Sequence, residues 1–331
     1  MKGPLPPPGD LARFLFWVKL RPWLRADRPA RLRAALPLWR LQHRFAAADH
    51  ALLGEELDRC FGALPAPAQA NRIAAVYRAA FRAHAEELLL GSLDAQSTPL
   101  WMELRGTAHL DAALARGKGV VWVYPHAGPV MVMIAALAFR GYRYVQYAAR
   151  GLPPAEVAAA HPELAPNPWR IAVRQAREAA EDRLPARFLT HHEPARALYR
   201  ALANNEIVGI AYDGRIGNRW APLPYLGRTA LLNPGPWRLA ASTGAAIVPA
   251  FCHAPEDGPS VCEIGPPILP DGPWEGLAAQ SLAFHQAALR RYPEEIGLWL
   301  LHARQRSHID DHPLFTDQAP PERWARWATS T

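Results

Sequence analysis

Val120-Val-Trp-Val-Tyr124 is an apolar run that stops at Pro125-His126-Ala-Gly-Pro129 and gives way at once to a second run, Val130 to Phe139. Unbroken apolar character suits a strand buried on both faces, and the Pro and Gly residues between the runs forbid one continuous helix. The segment therefore reads as strand, tight turn, helix. The turn carries an imidazole at the carboxyl end of the strand, where open α/β sheets keep their ligands. An unperturbed imidazole titrates at about 6.5, so His126 there is either a general base or a loop residue that only caps the helix.

The rest of the chain decides the fold class. Residues 44–92 read as helices broken at Pro65 and Pro67, with Ile73, Val76, Tyr77, Ala80, Phe81 and His84 at helical spacing. From about residue 100 the pattern alternates: a helix at 110–116, the strand 120–124, the helix after His126, and an alternating strand at 142–147. A helix at 170–182, a strand at 187–190, a helix at 194–203 and a strand at 207–212 follow, then a helix at 237–243 and strands at 246–251 and 260–264. Strands alternating with helices predict an α/β fold with a mixed, mostly parallel central sheet and helices on both faces. The expected organisation is a proline-rich tip (1–10), an N-terminal helical region packed on the core (11–99), the α/β domain (100–305) and a C-terminal tail (306–331).

Composition narrows the partners. The 331 residues carry a formal charge of +7, and the only lysines are Lys2, Lys19 and Lys118, so the positive charge is nearly all arginine. Arginine excess fits phosphate- or carboxylate-bearing partners, such as anionic headgroups or an acidic carrier protein, but codon bias gives the same excess. No nucleic-acid module is recognisable. Three cysteines without metal spacing (Cys60, Cys252, Cys262) suggest a reducing compartment. Neither a signal peptide nor a clean apolar span of about 18 residues is evident, and the expected location is the cytoplasm. Leu11 to Arg25, continuing to Leu41, interleaves Trp, Phe, Leu and Arg. That segment is either an interfacial helix on the inner face of an anionic membrane or an ordinary docking helix.

Asp213-Gly-Arg215 closes the apolar strand 207–212 as His126 closes 120–124, and strand ends of this kind converge on one crevice. The pair is suited either to an anionic or hydroxyl-bearing ligand or to a structural ion pair. His191-His192 and His308-Ile-Asp-Asp-His312 have some metal-ligand character, yet their polar context favours exposed surface, and no metal or cofactor is expected. There is no Gly-x-Ser-x-Gly elbow, no dinucleotide fingerprint and no phosphate-binding loop.

Five blocks in order resemble the lysophospholipid acyltransferase superfamily, and within it the late acyltransferases of lipid A assembly. They are His109 to Gly128, Arg196 to Asp213, Leu223 to Ala230, Gly235 to Pro249, and Pro293-Glu-Glu-Ile-Gly-Leu-Trp-Leu-Leu-His-Ala-Arg304. The resemblance implies a glycerol-3-phosphate acyltransferase-like fold and transfer of an acyl group from acyl carrier protein or coenzyme A thioesters to a hydroxyl acceptor. It makes His126 the base, with Asp213 and Arg196 in the surrounding site and Arg150 in the second arginine block; Arg215 and Met131 complete the candidate substrate-binding set.

The family places an acid five positions after its histidine, and here that residue is Met131. A thioether neither accepts a proton from the ring nor balances an imidazolium. Three explanations stand: another carboxylate such as Asp213 reaches the ring, the acceptor is an amine that needs less base assistance, or the fold survives as a non-catalytic acyl-chain or carrier-protein binder. The missing acid and the missing transmembrane anchor favour specialised acylation, for example of a carrier-bound or small polar acceptor, over bulk lipid A synthesis. The expected acceptor is a small polar or lipid molecule.

Overall fold

The computed structural model describes residues 8–151, 155–160, 165–190, 192–215, 219–307 and 313–319. Among the described residues five α-helices come first: α1 (Pro8–Phe14), α2 (Pro29–Ala35), α3 (Trp39–Phe45), α4 (His50–Phe61) and α5 (Ala66–Glu87). Next are β1 (Met102–Arg105), α6 (Thr107–Leu114), β2 (Val120–Tyr124), α7 (Val130–Phe139), β3 (Tyr144–Ala148), α8 (Ala155–Ala160), α9 (Pro168–Glu181), β4 (Arg187–Thr190), α10 (Arg196–Ala203) and β5 (Ile207–Ala211). The chain continues with β6 (Ala221–Tyr225), β7 (Arg228–Leu232), α11 (Gly235–Thr243), β8 (Ala246–His253), β9 (Ser260–Ile264), α12 (Trp274–Arg291) and α13 (Gly297–Arg306).

Seven strands form one sheet in the order β1-β9-β8-β2-β5-β3-β4. Strands β8, β2, β5, β3 and β4 are parallel, while β9 runs antiparallel to β8 and carries β1 with it. This is the mixed, mostly parallel sheet expected from the alternation. Its central strand obeys the period of two. Val121 and Val123 join a cluster with Leu53, Val76, Trp237 and Leu300. Val120, Trp122 and Tyr124 join another with Met133, Leu137, Leu89 and Trp101. Both faces are covered, as a buried parallel strand requires.

Residues of the N-terminal helices belong to both clusters. Phe14 meets Trp169 edge-on at 4.7 Å, Phe16 meets Phe81 at 5.6 Å, and the Trp101 indole donates to Ala26 O at 2.9 Å. Phe14 and Phe16 thus turn inward, as in a docking helix, while Leu15 and Trp23 stay exposed. Among the described residues, no helix is long and apolar enough to cross a membrane.

Sequence periodicity missed β1, the β6–β7 hairpin and α12. The hairpin turns at Leu226 and Gly227, both at positive φ (51° and 75°), the geometry of a two-residue hairpin loop. Pro222 and Pro224 disguise β6 as loop, yet both sit on its exposed side. The hairpin is fastened by Arg228, whose side chain is 7% exposed; it donates to Glu56 Oε2 at 2.7 Å, pairs with Asp317 and lies over the Phe315 ring at 3.7 Å. Glu56 in turn accepts from Gln318 at 3.1 Å.

Removing one member of a buried ion pair strands the other charge. Arg228→Met should therefore cost about 3–5 kcal/mol in urea unfolding, and a Glu56→Gln, Arg228→Met double variant should recover much of that loss. Equal stability of Arg228→Met and wild type would mean the pair is dispensable.

Candidate active site

Strand register explains why two distant polar residues meet. β2 and β5 are parallel neighbours with Tyr124 opposite Ala211. Two residues further along each chain are His126 and Asp213, so the same register sets them side by side at the carboxyl edge. The imidazole Nδ1 lies 2.7 Å from Asp213 Oδ1, and the backbone N–H of His126 donates to Asp213 Oδ1 and Oδ2 at 3.1 and 3.0 Å. Asp213 is fully buried, whereas the His126 side chain is 36% exposed. A carboxylate on Nδ1 holds the proton there and leaves the Nε2 lone pair outward. Nε2 makes no hydrogen bond among the described residues.

One face of the ring is also covered. The Trp299 indole stacks on the imidazole with centroids 4.1 Å apart and planes inclined by 17°. Gly214 lies at the ring's edge, where a Cβ would make ordinary contact, 3.6 Å from His126 Cε1. The imidazole is thus fixed by a carboxylate at one nitrogen and an aromatic plate at one face, with its other nitrogen turned away from the carboxylate.

The turn beneath is tightly constrained. Gly128 has φ +68°, and a Cβ there would overlap the Cys252 carbonyl. Its N–H donates to Glu295 O at 3.3 Å, while Glu295 Oε1 accepts from Ala254 N at 2.7 Å. Residue 295 thus ties the His126 turn to the end of β8. Burial pushes the Glu295 carboxyl up to about 8, and the nearby acids Glu294 and Glu86 push the same way against the Ala254 N–H and Arg82. Behind the strands, His285 Nε2 is shared between the Val123 and Ala250 carbonyls at 3.1 Å each. Burial lowers its pKa to about 4, so it is neutral and donates its Nε2–H to the two strand ends.

The other residues singled out in the sequence have different surroundings. Met131, in the first turn of α7, is 7% exposed and packs in the apolar cluster with Trp122. Arg196 opens α10 and is exposed. Because α10 connects β4 to the parallel β5, its first residue lies at the same sheet edge as Asp213. Arg150 pairs with Asp182 at 2.7 Å and Glu181 at 3.3 Å. Arg215 donates to the Leu231 and Pro313 carbonyls at 2.9 and 3.0 Å and lies 4.3 Å over Trp220. Arg150 and Arg215 therefore hold protein groups, and neither touches the His126–Asp213 pair. His191, and 308–312 with its two histidines, lie outside the described residues; among those described, no cluster of three or more His, Cys, Asp or Glu could hold a metal. A cavity of about 490 Å³ lies between α3, α4 and α5, lined by His43, His50, Gly54 and Ile73, and none of its lining residues belongs to the sheet edge.

The family model for bacterial lipid A biosynthesis acyltransferases matches residues 14–268. The chain belongs to this family. Among curated proteins, none matches it. The family's activity is acyl transfer, and its match spans both α2–α5 and the strands that lead to His126 and Asp213. Trp299, Glu295 and His285 lie beyond the matched stretch and were not singled out as site residues in the sequence. Trp299 and Glu295 sit inside the quoted Pro293–Arg304 block, so their block was visible while their contacts were not. His285 had no signal beyond its place on the apolar stripe of α12.

The Glu295 shift has a signed consequence. A carboxyl raised from its unfolded range to about 8 keeps its proton in the folded state across that window. Stability should therefore fall as pH rises between the two values, by up to about 1.4 kcal/mol per pH unit, and level off above. In thermal unfolding from pH 5 to 9, Glu295→Gln should flatten that fall; an unchanged slope would show that the carboxyl is ionised throughout.

Proposed function

We propose that this family member transfers an acyl group from a thioester, carried by acyl carrier protein or coenzyme A, to the hydroxyl or amine of a small polar or lipid acceptor. His126 is the general base and Asp213 the residue that orients it and balances its charge. Nε2 removes the acceptor's proton as its oxygen or nitrogen bonds to the thioester carbonyl carbon. The tetrahedral adduct then collapses, the carbon–sulfur bond breaks, and the proton leaves His126 for the departing thiolate. Arg196, exposed at the same edge, supplies positive charge for the phosphate-bearing arm of the donor. No role is needed for Met131 beyond packing.

The observation that carries this reading is the 2.7 Å contact between a half-buried imidazole and a buried carboxylate at the carboxyl edge of the sheet. It favours the first of the three explanations for the missing acid, a substitute carboxylate from another strand. Trp299 supports the same step, because an indole face next to an imidazolium is worth about 0.5–2 kcal/mol. Peripheral contact with an anionic membrane is supported by Leu38, Leu41 and Phe45, all exposed on and just before α3, with Arg40 and Arg44 exposed beside them.

The test is thiol release and product formation from acyl-carrier-protein and coenzyme A thioesters with hydroxyl and amine acceptors. His126→Ala should abolish both, and Asp213→Asn should lower turnover by about 10²- to 10⁴-fold, the cost of losing the partner of a catalytic histidine. Identical background in wild type and His126→Ala would instead support a binding protein that keeps the fold.

A separate outcome concerns the stacked indole. Trp299→Leu should lower kcat about tenfold with little change in KM, and Trp299→Phe should recover part of it. A change confined to KM would make Trp299 a substrate contact rather than a positioning residue.

A further inference from the structure

A second polar site lies outside the catalytic edge. Arg21, Arg25 and Arg183 line a crevice of about 300 Å³ together with Pro22, Leu24, Leu88, Gly91 and Ser92. Arg21 is half-buried and donates to Ala176 O at 3.0 Å, while Arg183 donates to Gly91 O at 3.0 Å. A guanidinium has five N–H groups, so each retains donors beyond those bonds. Neither Arg21 nor Arg183 has a carboxylate partner among the described residues. The acids beside Arg183 in the chain are committed elsewhere: Glu181 pairs with Arg177 and Arg150, and Asp182 with Arg150. Asp27 pairs with Arg25 at 2.9 Å.

Two guanidiniums that line one crevice, with no acid paired to either among the described residues, repel one another. Arg21 shows the effect, since burial and then the charge of Arg183 lower its pKa. Gly91 leaves the space that the Arg21 guanidinium occupies: a Cβ at that position would overlap it, and the side chain would have to swing aside. Ser92 fixes the wall by accepting from Ala26 N at 3.0 Å and donating to Leu89 O at 2.9 Å. Between Pro22 and Leu24 in the chain, Trp23 is 44% exposed, with Arg31 lying 5.4 Å from its ring centroid.

We propose that this crevice binds a phosphate group, held between the Arg21 and Arg183 forks, with Arg25 at its mouth. Tetrahedral oxyanions offer several acceptor oxygens in different directions, which suits donors arriving from separate walls better than a planar carboxylate does. A lipid phosphodiester headgroup and free inorganic phosphate share this chemistry. The proposal does not depend on acyl transfer, and its test reads no catalytic step.

Wild type, Arg183→Gln and Gly91→Ala are titrated with inorganic phosphate at constant ionic strength, following calorimetry and thermal stability. Arg183→Gln removes a fork, and Gly91→Ala displaces Arg21 without altering its charge; both should keep the wild-type circular dichroism. Phosphate should bind wild type and raise its Tm, with the dissociation constant weakened about tenfold or more in each variant. No binding beyond that of chloride, or equal binding in all three proteins, overturns the site. Sedimentation with phosphatidylcholine vesicles, with and without phosphatidylglycerol, identifies the source. Binding to the anionic vesicles that phosphate displaces and both variants lose marks a headgroup. Vesicle binding indifferent to the variants, beside their loss of phosphate affinity, marks a free phosphate ligand.

Discussion

Everything at the carboxyl edge of the sheet follows from the register of β2 on β5. With Tyr124 opposite Ala211, His126 and Asp213 must face each other across one strand spacing. A slip of one residue would turn every side chain of β2 to the opposite face and break both apolar clusters. The hydrophobic pattern that folds the sheet is thus the same constraint that sets the imidazole on its carboxylate. The close turn at Gly128, the Glu295 tie to β8 and the neutral His285 bridge between strand ends keep that edge rigid.

The carboxylate at this site comes from a strand end rather than from the helix that follows the histidine. An acid on the first turn of α7 would have to lie where Met131 packs among apolar side chains, and an ionised carboxyl there would be costly without a partner. Asp213 is equally buried but is compensated: it accepts from the His126 ring and twice from its backbone N–H. Such a carboxylate can balance a transient imidazolium without leaving an unpaired charge in the core. The stacked Trp299 adds rigidity from a third element, α13, so the ring is fixed by side chains from two segments of the chain outside its own.

Most of the architecture was legible because buried strands announce themselves as largely apolar runs bounded by Gly, Pro and Asn. β2, β5, β8 and β9 fall at or within two residues of their expected ends. Elements whose stabilisation is tertiary were not legible. β1 is four residues at a sheet edge, β6 is broken up by prolines, and the α12 stripe is diluted by alanine and by His285. At the site, the sequence offered His126 and Asp213 as two strand ends, and their meeting needed only the strand order. The arginines were harder. Arg150 and Arg215 stood as candidate substrate-binding cations, with a structural pairing open for Arg215; long side chains choose partners that no spacing rule reveals, and both are engaged with protein groups. Trp299 stacks through packing of α13 against α4 and α5, which nothing local encodes.

The central claim is that Asp213 fixes the proton on Nδ1 and so leaves Nε2 as the accepting nitrogen. Imidazole ¹⁵N and ¹H NMR of His126 near neutral pH tests it most directly. The account predicts an Nδ1–H tautomer with a downfield, exchange-protected proton that vanishes in Asp213→Asn. An Nε2–H tautomer in the wild-type protein, or a spectrum unchanged by that substitution, would contradict it.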